Sequence, residues 1–426
     1  MTTIDPRNEL LPSLGPRAWR LLAGQALSQI GTGMTFPILL LYLSKVRGMD
    51  LATAGLVMAS TSVAGLCTLL LAGAFTDRAG AGRALVLWLL VCAAGTGGFA
   101  FARQAPAAFG AAILYGTGVS GMWNALATLF ARVVPAELRG SIFGVNYALQ
   151  NLGFGLGATV GGLLLDVTRP RSFQTLFWSD AASFLLFAAL LSFSGELRPQ
   201  PKDARRDHAS GARAADGEGY RRVVRDRGLL ACAGLNTLIS AVGFSQLNSA
   251  LPAWATGPLR LSPKVLGFAF LANTLVITLA QLVVMRYLLR GRRRTRAVAG
   301  TALLFSLAWL ITLAAGWFPG GLAAGAALVV SLVVFGVGET LLSPSLPALV
   351  NDLAPDHLRG RYNAVYSLSW QVGPIIGPAL AGFMLSRGLG RAHFAGLALA
   401  CCLAAALSIG IERVVPAGAN LGASRP

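Results

Sequence analysis

The residue best placed to do chemistry in this sequence is an acid inside a long apolar run. Glu339 lies in the segment Phe335-Gly-Val-Gly338-Glu339-Thr-Leu-Leu-Ser-Pro344, within an apolar stretch at about 320–350. About eleven residues separate it from the end of that stretch, which at the helical rise is roughly 16 Å. A carboxylate at such a depth in a membrane is costly and normally marks an ion path or a substrate contact. We therefore expect Glu339 to bind a proton or contact substrate. The alternative is a protonated glutamate that hydrogen-bonds a neighbouring helix for structural reasons alone.

Two further acids and the three histidines are weaker candidates for a functional role. Asp180 lies about seven residues inside another apolar run, and we interpret it as a structural hydrogen-bonding residue. Asp166 ends the preceding run and is expected to face water as a boundary charge. His208, His357 and His393 all fall outside the interiors of the predicted spans. With no phosphate-binding loop, no H-E-x-x-H and no nucleophile–base pair, the sequence argues against an enzyme and predicts no catalytic residue.

The cysteines do not indicate a metal or redox site. Cys67, Cys92, Cys232, Cys401 and Cys402 lie in apolar runs without C-x-x-C spacing. They are predicted to be small buried apolar residues. The sequence thus predicts no metal and no cofactor.

The composition indicates that most of this chain, including the residues named above, lies in lipid. Of 426 residues only 12% are charged, whereas 55% are hydrophobic, and the mean hydropathy is +0.64. In soluble domains about a quarter of the residues are charged. This chain has too few charged residues to cover the surface of a soluble protein. The net charge of +18 does not indicate nucleic-acid binding, because the basic residues lie between apolar runs and are not interleaved with aromatics.

A membrane-spanning helix needs about 20 mostly apolar residues, and the chain has twelve such runs. The first six lie at about 20–43, 52–75, 84–101, 107–132, 141–165 and 173–194. The second six lie at about 228–251, 262–285, 297–317, 320–350, 360–386 and 393–413. We predict an all-α membrane protein of twelve transmembrane helices in two pseudo-symmetric six-helix bundles. The predicted domains are 1–194, a cytoplasmic linker 195–227 with a short surface helix near 220–227, and 228–426.

The distribution of positive charge predicts the orientation. With the N-terminus inside, 26 of the 35 Lys and Arg residues fall on cytoplasmic segments. A run of arginines before the ninth span adds to this bias: Arg290, Arg292, Arg293, Arg294 and Arg296. The prediction is a monomeric multi-pass protein of the plasma membrane with both termini in the cytoplasm.

The two halves are related by a shift of 220 residues. Pro135-Ala-Glu-Leu138-Arg139-Gly140 matches Pro355-Asp-His-Leu358-Arg359-Gly360, and glycines in the following span repeat in the same register. A repeat of this size indicates a six-plus-six architecture with a substrate site between the halves, near the bilayer midplane.

The segment after the second span carries a family motif. It reads Gly73-Ala-Phe-Thr-Asp77-Arg78-Ala-Gly80-Ala-Gly-Arg83, with a tight glycine turn at the predicted cytoplasmic surface. The Gly-x3-Asp-Arg-x-Gly spacing resembles the signature loop of the major facilitator superfamily, and the resemblance covers almost the whole chain. It implies that Asp77 and Arg78 help to latch the two halves. Relatives usually have basic residues where this chain has Ala81 and Gly82; Arg132 and Arg139 are candidate partners for Asp77.

The fifth and eleventh spans share a second motif of glycines four residues apart. Such glycines form a smooth groove in which another helix can pack closely or slide. In the fifth span the spacing resembles the antiporter motif of the superfamily, which is typical of exporters, although Ala158 replaces the usual proline. A static packing groove is the alternative. The predicted helix-packing residues are Gly144, Gly153, Gly157, Gly161, Gly162, Gly373, Gly377, Pro378 and Gly382.

The Gly-Glu-x4-Pro pattern around Glu339 resembles the tenth span of the multidrug:proton antiporters of this superfamily. In some of those the matching glutamate contacts cationic drugs or takes the proton. Two features depart from relatives: residues 114–130 of the fourth span contain no arginine, and Asn146 lies where some relatives have an acid. Any proton coupling is therefore expected to depend mainly on Glu339.

Polar and aromatic side chains at helical spacing predict an apolar cavity with scattered hydrogen-bonding groups, suited to amphipathic organic molecules. Each polar residue alone is as consistent with bonds between helices. The predicted cavity residues are Gln25, Gln29, Trp123, Asn124, Asn146, Gln150, Asn236, Phe244, Trp370 and Gln371.

Together these features favour a proton-coupled exporter of hydrophobic or amphipathic organic compounds. Two alternatives stay open: uptake or facilitated exchange of a nutrient or sugar, and a membrane receptor that does not transport. The first requires denser polar contacts than these stripes provide, and the second needs no intramembrane acid.

Overall fold

The computed structural model describes residues 14–135, 138–193, 223, 225–283, 292–355 and 358–421, and within these residues the chain forms helices and turns but no strand. Twelve long helices match the twelve predicted spans one for one. The first six are α1 (Pro16–Val46), α2 (Leu51–Ala79), α3 (Ala81–Phe101), α4 (Ala105–Val133), α5 (Arg139–Leu164) and α6 (Pro170–Phe193). The second six are α7 (Arg227–Thr256), α8 (Pro263–Val283), α9 (Arg294–Ala315), α10 (Leu322–Leu353), α11 (Arg359–Ser386) and α12 (Gly390–Arg413), and a short α13 (Ala417–Leu421) follows.

The helix lengths confirm a polytopic membrane fold. Within the described residues, ten helices are long and apolar enough to cross a bilayer. The other two, α4 and α5, are 29 and 26 residues long and exceed the roughly 20 residues that a span requires. The described part of the predicted linker is limited to Val223 and 225–227, so the rest of that prediction lies outside the described residues.

Three of the long helices are interrupted within their spans. Helix α1 is regular to Thr35, passes through a 3₁₀ turn at Phe36–Ile38, and ends in a π-helical turn at Tyr42–Val46. Helix α7 contains a π-helical turn at Ser240–Phe244, and α10 is broken by a turn at 343–345, which includes Pro344. Such breaks are tolerated in lipid when side chains take over the freed backbone groups.

In α7, side chains that follow the π-helical turn bond a backbone carbonyl group that the turn leaves free. The carbonyl oxygen of Ala241 accepts hydrogen bonds from Ser245 Oγ and from Gln246 Nε2, each at 2.7 Å. These two donors hold the irregular segment in a defined conformation, which matters because Phe244 lies on it.

The chain divides into two compact units. Unit 1 comprises 1–36 and 63–199, and unit 2 comprises 37–62 and 200–426. In unit 1, α1 packs against α5 and α6, and α3 packs against α4 and α6. In unit 2, α9 packs against α10 and α12, while α7 packs against α11. The segment 37–62 therefore groups with the second set of helices, and the predicted division at 194 and 228 stays a prediction.

The internal repeat has the same local structure in each unit. Leu138 N–H donates to Pro135 O at 3.1 Å, and helix α5 begins at the next residue. Leu358 N–H donates to Pro355 O at 2.9 Å, and helix α11 likewise begins at the next residue. The shared Pro-x-x-Leu-Arg-Gly sequence is thus a one-turn helix start that occurs twice.

Two local expectations need correction. The segment at 73–83 is helical except at Gly80, because α2 continues to Ala79 and α3 begins at Ala81. Gly80 has φ +84°, a conformation that glycine adopts without strain, so the turn is a single residue. His393 was expected outside a span interior, but it lies in α12 and is buried, since its ring pairs with Gln246 of α7.

The cysteines are all free, but only Cys92, Cys232 and Cys401 are buried. Cys67 and Cys402 are exposed on the surface of their helices. Apolar runs in a membrane protein have a lipid-facing side, so apolar surroundings in the sequence do not by themselves imply burial.

Candidate functional site

Glu339 lies near the middle of its span, seventeen residues after Leu322 and fourteen before Leu353. Its side chain is only 7% exposed. Among the described residues, no hydrogen bond or ion pair to its carboxyl group is found. The acid is thus buried near the middle of α10, and the described residues provide no partner of the kind that a purely structural glutamate would have.

One turn before Glu339, Phe335 belongs to a cluster of aromatic rings in unit 2. Phe335 stacks on Phe305 of α9 with ring centroids 3.8 Å apart. Phe244 of α7 meets both rings at 5.6 and 5.8 Å, and Trp370 of α11 lies 4.7 Å from Phe244. Because Phe335 and Glu339 are four residues apart on a helix, they lie on the same face.

The cluster has a buried base and a more accessible edge. Phe305, Phe335 and Trp309 are fully buried, whereas Phe244 and Trp370 are partly exposed. Trp309 Nε1 donates to Val242 O at 2.9 Å and thereby fixes the base of the cluster to the π-helical turn of α7. The arrangement can present two aromatic surfaces on a cluster that includes Phe335, one helical turn before the buried acid, which suits apolar or cationic organic molecules.

Close helix contact positions the acid. A Cβ added to Gly338 would lie 2.8 Å from Phe305 Cε1, so α10 approaches α9 here only because residue 338 has no side chain. Thr301 Oγ1 of α9 donates to Gly338 O at 2.9 Å. Glu339 therefore follows a residue that is held both by packing and by a hydrogen bond.

The predicted cavity residues of unit 2 differ in their surroundings. Asn236 is fully buried, and its Nδ2 donates to Tyr366 O at 3.1 Å and to Ser369 Oγ at 2.9 Å, so it joins α7 to α11. Gln371 is partly exposed, and no hydrogen bond to it is found within the described residues. Phe244, Trp370 and Gln371 are thus available to a ligand, whereas Asn236 is committed to helix packing.

The predicted cavity residues of unit 1 are similarly mixed. Asn124 Oδ1 accepts from Thr76 Oγ1 at 3.2 Å, which joins α4 to α2. Gln25 is buried, and neither end of its amide has a hydrogen-bond partner in the described structure; the same holds for Asn146 Oδ1. The remaining members are partly exposed: Gln29, Trp123 and Gln150.

The predicted gating residues lie at the turn between α2 and α3. Asp77, Arg78 and Arg83 are exposed, and no atom would contact a Cβ added to Gly73 or Gly80. Arg132, one candidate partner of Asp77, is exposed at the end of α4, whereas the side chain of Arg139 lies outside the described residues. The latch role implied by the family resemblance stays a prediction.

Most glycines of the α5 motif contact the backbone of α1. A Cβ at Gly157 would clash with Ile30 O, and one at Gly161 would lie 2.8 Å from Met34 O. Gly153 is similarly close to Ala26 O at 2.9 Å, whereas no atom lies near Gly144. Gly162 is buried.

The α11 glycines divide between two partners within unit 2. A Cβ at Gly373 would clash with Ser240 of α7, and one at Gly377 would clash with Ser245 of the same helix. Gly382 instead packs against Leu51 O at the start of α2, where Gly55 also meets Pro378 O. The groove therefore receives α7 along one part and the first turns of α2 along another.

Sequence reasoning missed the base of the aromatic cluster. Phe305 and Trp309 lie on the ninth span, which no polar stripe indicated. Phe335 could have been found, because it precedes Glu339 by one helical turn. The pair formed by His393 Nε2 and Gln246 Oε1, 3.0 Å apart, depends on where α12 begins, and boundaries are the least reliable part of a sequence prediction.

The sequence profile of the Major Facilitator Superfamily matches residues 21–243 and again 233–424. The chain belongs to the Major Facilitator Superfamily. This superfamily member is accordingly a multi-pass membrane transporter of a small solute and not an enzyme.

Relatives of this superfamily member include antiport and drug-resistance proteins. It is 26% identical over 387 residues to a Na(+), Li(+), K(+)/H(+) antiporter of Planococcus maritimus, and the alignment covers 84% of this chain and 87% of the relative. It is 21% identical over 355 residues to the quinolone resistance protein NorA of Staphylococcus aureus, covering 83% and 86% of the two chains.

The fold matches that of solved transporters. The structure of a POT family transporter in complex with 5-aminolevulinic acid superimposes with a TM-score of 0.76 over 95% of this chain and 99% of the other, at 16% identity. The twelve-helix fold class predicted from the sequence is confirmed.

Proposed function

We propose that this protein exports small hydrophobic or amphipathic organic compounds from the cell by proton antiport. The observation that carries the proposal is the buried carboxyl group of Glu339, one helical turn after Phe335, whose ring meets the partly exposed Phe244 at 5.8 Å. An acid without a partner among the described residues is free to bind either a proton or a cationic group of a substrate, but not both at once.

The coupling follows from that competition. When Glu339 is charged, it attracts a cationic or polarised substrate that the aromatic rings hold by apolar contact. When a proton binds, the charge disappears and the substrate loses that attraction. Antiport requires only that each state favours a different conformation of the transporter, by a differential free energy of a few kcal/mol.

The names of two relatives support this proposal, one for the drug-like substrate and one for the exchange with protons. NorA is a quinolone resistance protein, and the Planococcus maritimus relative exchanges cations for protons. The glycine groove on α5, which resembles a motif typical of exporters, agrees with outward transport. We also place the protein in the plasma membrane with both termini in the cytoplasm, because 26 of the 35 basic residues then lie inside.

The second candidate function is exchange of monovalent metal cations for protons. The antiporter relative favours it, since it aligns over 84% of this chain. A metal ion would need several oxygen ligands around Glu339, whereas the nearest defined cluster is aromatic. That difference makes an organic substrate the better proposal.

The deciding experiment uses inside-out membrane vesicles that are energised to an acidic interior. A fluorescent hydrophobic cation such as ethidium should accumulate in vesicles that contain the wild-type protein, and a protonophore should abolish the accumulation. Glu339→Gln should lose the accumulation while its amount in the membrane stays unchanged.

Asp166→Asn is the matched control, because Asp166 is a half-exposed acid in the turn between α5 and α6. Wild-type accumulation by Glu339→Gln would exclude the coupling role. The second candidate would be favoured if adding NaCl or KCl collapses the pH gradient whereas adding the dye does not.

A further inference from the structure

A second intramembrane acid lies in unit 1, and the function proposed above does not use it. Asp180, near the middle of α6, has no exposed surface. Its Oδ2 accepts a hydrogen bond of 2.7 Å from Thr35 Oγ1 of α1. Its Oδ1 is fully buried and has no hydrogen-bond partner in the described structure.

The nearby hydroxyl of Ser183 does not serve the free oxygen. Ser183 Oγ donates to the backbone carbonyl of Asp180 at 2.7 Å, which uses its single proton. On the opposite side, a Cβ added to Gly31 would lie 2.5 Å from Oδ1, so the backbone of α1 packs directly over the carboxyl group. Within the described structure, Thr35 is thus the one side-chain donor in hydrogen-bond geometry with this carboxyl group.

Within the described residues, no basic side chain forms an ion pair with Asp180. The titratable groups that face it are Cys92 of α3 and Tyr115 of α4, both neutral at neutral pH. On the helices packed around this site, the basic residues within the described structure lie nine or more residues along the chain from the positions that face it: Arg17, Arg20, Lys45, Arg83, Arg132 and Arg171. A charged carboxylate with one hydroxyl donor would be strongly unfavourable here, whereas the neutral acid is not.

We infer that Asp180 is a proton-binding site of unit 1, occupied in the conformation described here and separate from Glu339. The interpretation of Asp180 as a purely structural residue explains only the Thr35 bond. It leaves a buried carboxyl oxygen without a donor, which a permanent structural role would not require.

The location of Thr35 gives this site a way to release its proton. Thr35 is the last residue of the regular part of α1, and the 3₁₀ turn begins at Phe36. Its hydroxyl has an alternative acceptor, because Thr32 O lies 3.3 Å away. A change at this break could therefore transfer the hydroxyl from Asp180 to Thr32, change the affinity of Asp180 for its proton, and admit water to Oδ1.

Isotope-edited infrared spectroscopy of the purified protein in lipid bilayers tests the inference without any transported substrate. Carboxyl-¹³C aspartate shifts the carbonyl band of a protonated aspartic acid and leaves that of Glu339 unshifted. We expect a shifted band at pH 7 that is absent from Asp180→Asn and disappears reversibly as the pH rises. The absence of a shifted band at pH 7, or a band that persists until the protein unfolds, would overturn the inference.

Two further variants retain the acid in case Asp180→Asn does not fold. Thr35→Val removes the one donor that the described structure shows at this carboxyl group and should move the pH of band loss by about one unit. Ser192→Ala should leave that pH unchanged, because its hydroxyl bonds Ala188 O, twelve residues along α6 from Asp180. No change in Thr35→Val would also overturn the inference. Since the readout is proton binding at aspartate, failure here is distinguishable from failure of the proposed export function.

Discussion

The ring of Phe305 lies parallel to the ring of Phe335, with centroids 3.8 Å apart and planes inclined by 4°. This stack joins α9 to α10 one helical turn before Glu339. The acid is therefore positioned by aromatic packing rather than by a polar partner, and changes in that packing should alter transport without removing the titratable group.

Gly338→Ala tests this dependence. The new Cβ would lie 2.8 Å from Phe305 Cε1 and 3.3 Å from Leu304 Cβ, so α10 must move or the stack must open. Overpacking of this kind typically costs about 1–3 kcal/mol. We expect most proton-driven dye accumulation to be lost, together with a lower thermal unfolding temperature. Gly300→Ala is the control, because its Cβ would meet Leu341 Cδ1 at an ordinary 3.5 Å.

The glycines of the α5 motif should differ sharply in their tolerance of substitution. Gly157→Ala places a methyl group against Ile30 O, a backbone atom that cannot rotate away. Gly144→Ala meets no atom within 4 Å. We expect Gly157→Ala to lower the unfolding temperature and the yield of folded protein, and Gly144→Ala to match the wild type in both. Equal effects at the two positions would contradict a groove that is defined by contact with α1.

The short helix α13 should stabilise the start of α9. Asn420 Oδ1 accepts from the backbone N–H of Thr295 at 3.0 Å, in the first turn of α9, and therefore acts as a helix cap supplied from a distant part of the chain. Asn420→Ala should cost about 1 kcal/mol of stability. Gly418→Ala, which meets no atom within 4 Å, is the matched change in the same segment. Chemical denaturation of the purified protein would measure both.

The start of α2 should depend on pH through Asp50. The side-chain hydroxyl and backbone N–H of Thr53 bond its carboxylate at 2.5 and 2.9 Å and hold the pKa of Asp50 below its ordinary value. A lowered pKa in the folded state means that the stabilisation is present above the unfolded pKa of about 3.9 and is lost as the pH falls through the folded value. The difference in unfolding temperature between wild type and Asp50→Asn should therefore be constant from pH 7 to about 5 and shrink below pH 4. A constant difference down to pH 3 would argue against these bonds.

The number of spans and the repeat could be predicted from the sequence because both depend on local composition. Apolar runs of the required length and the duplicated Pro-x-x-Leu-Arg-Gly segment need no knowledge of packing. Helices α5 and α11 start at Arg139 and Arg359, two residues and one residue before the predicted runs, which illustrates how closely hydropathy locates a helix.

Contacts between distant helices could not be predicted in the same way. Asn236 and Gln371 both lie on polar stripes, but only the packing of α7 on α11 commits Asn236 to Ser369. The burial of Glu339 is confirmed because its depth follows from chain position, whereas the rings of Phe305 and Trp309 reach the site through tertiary packing alone.

The π-helical turn of α7 has one further consequence. An extra residue in one turn rotates everything beyond it by about 100° relative to an unbroken helix. Asn236 and Thr237 before the turn, and Ser240 at its first residue, direct their hydrogen bonds to α11. After it, Gln246 meets His393 of α12 and Trp254 Nε1 reaches Thr312 O of α9. The turn therefore changes which neighbouring helices the two parts of α7 contact. Deleting a single residue within Ser240–Phe244 would remove this rotation, so the side chains after the turn would no longer face α12 and α9.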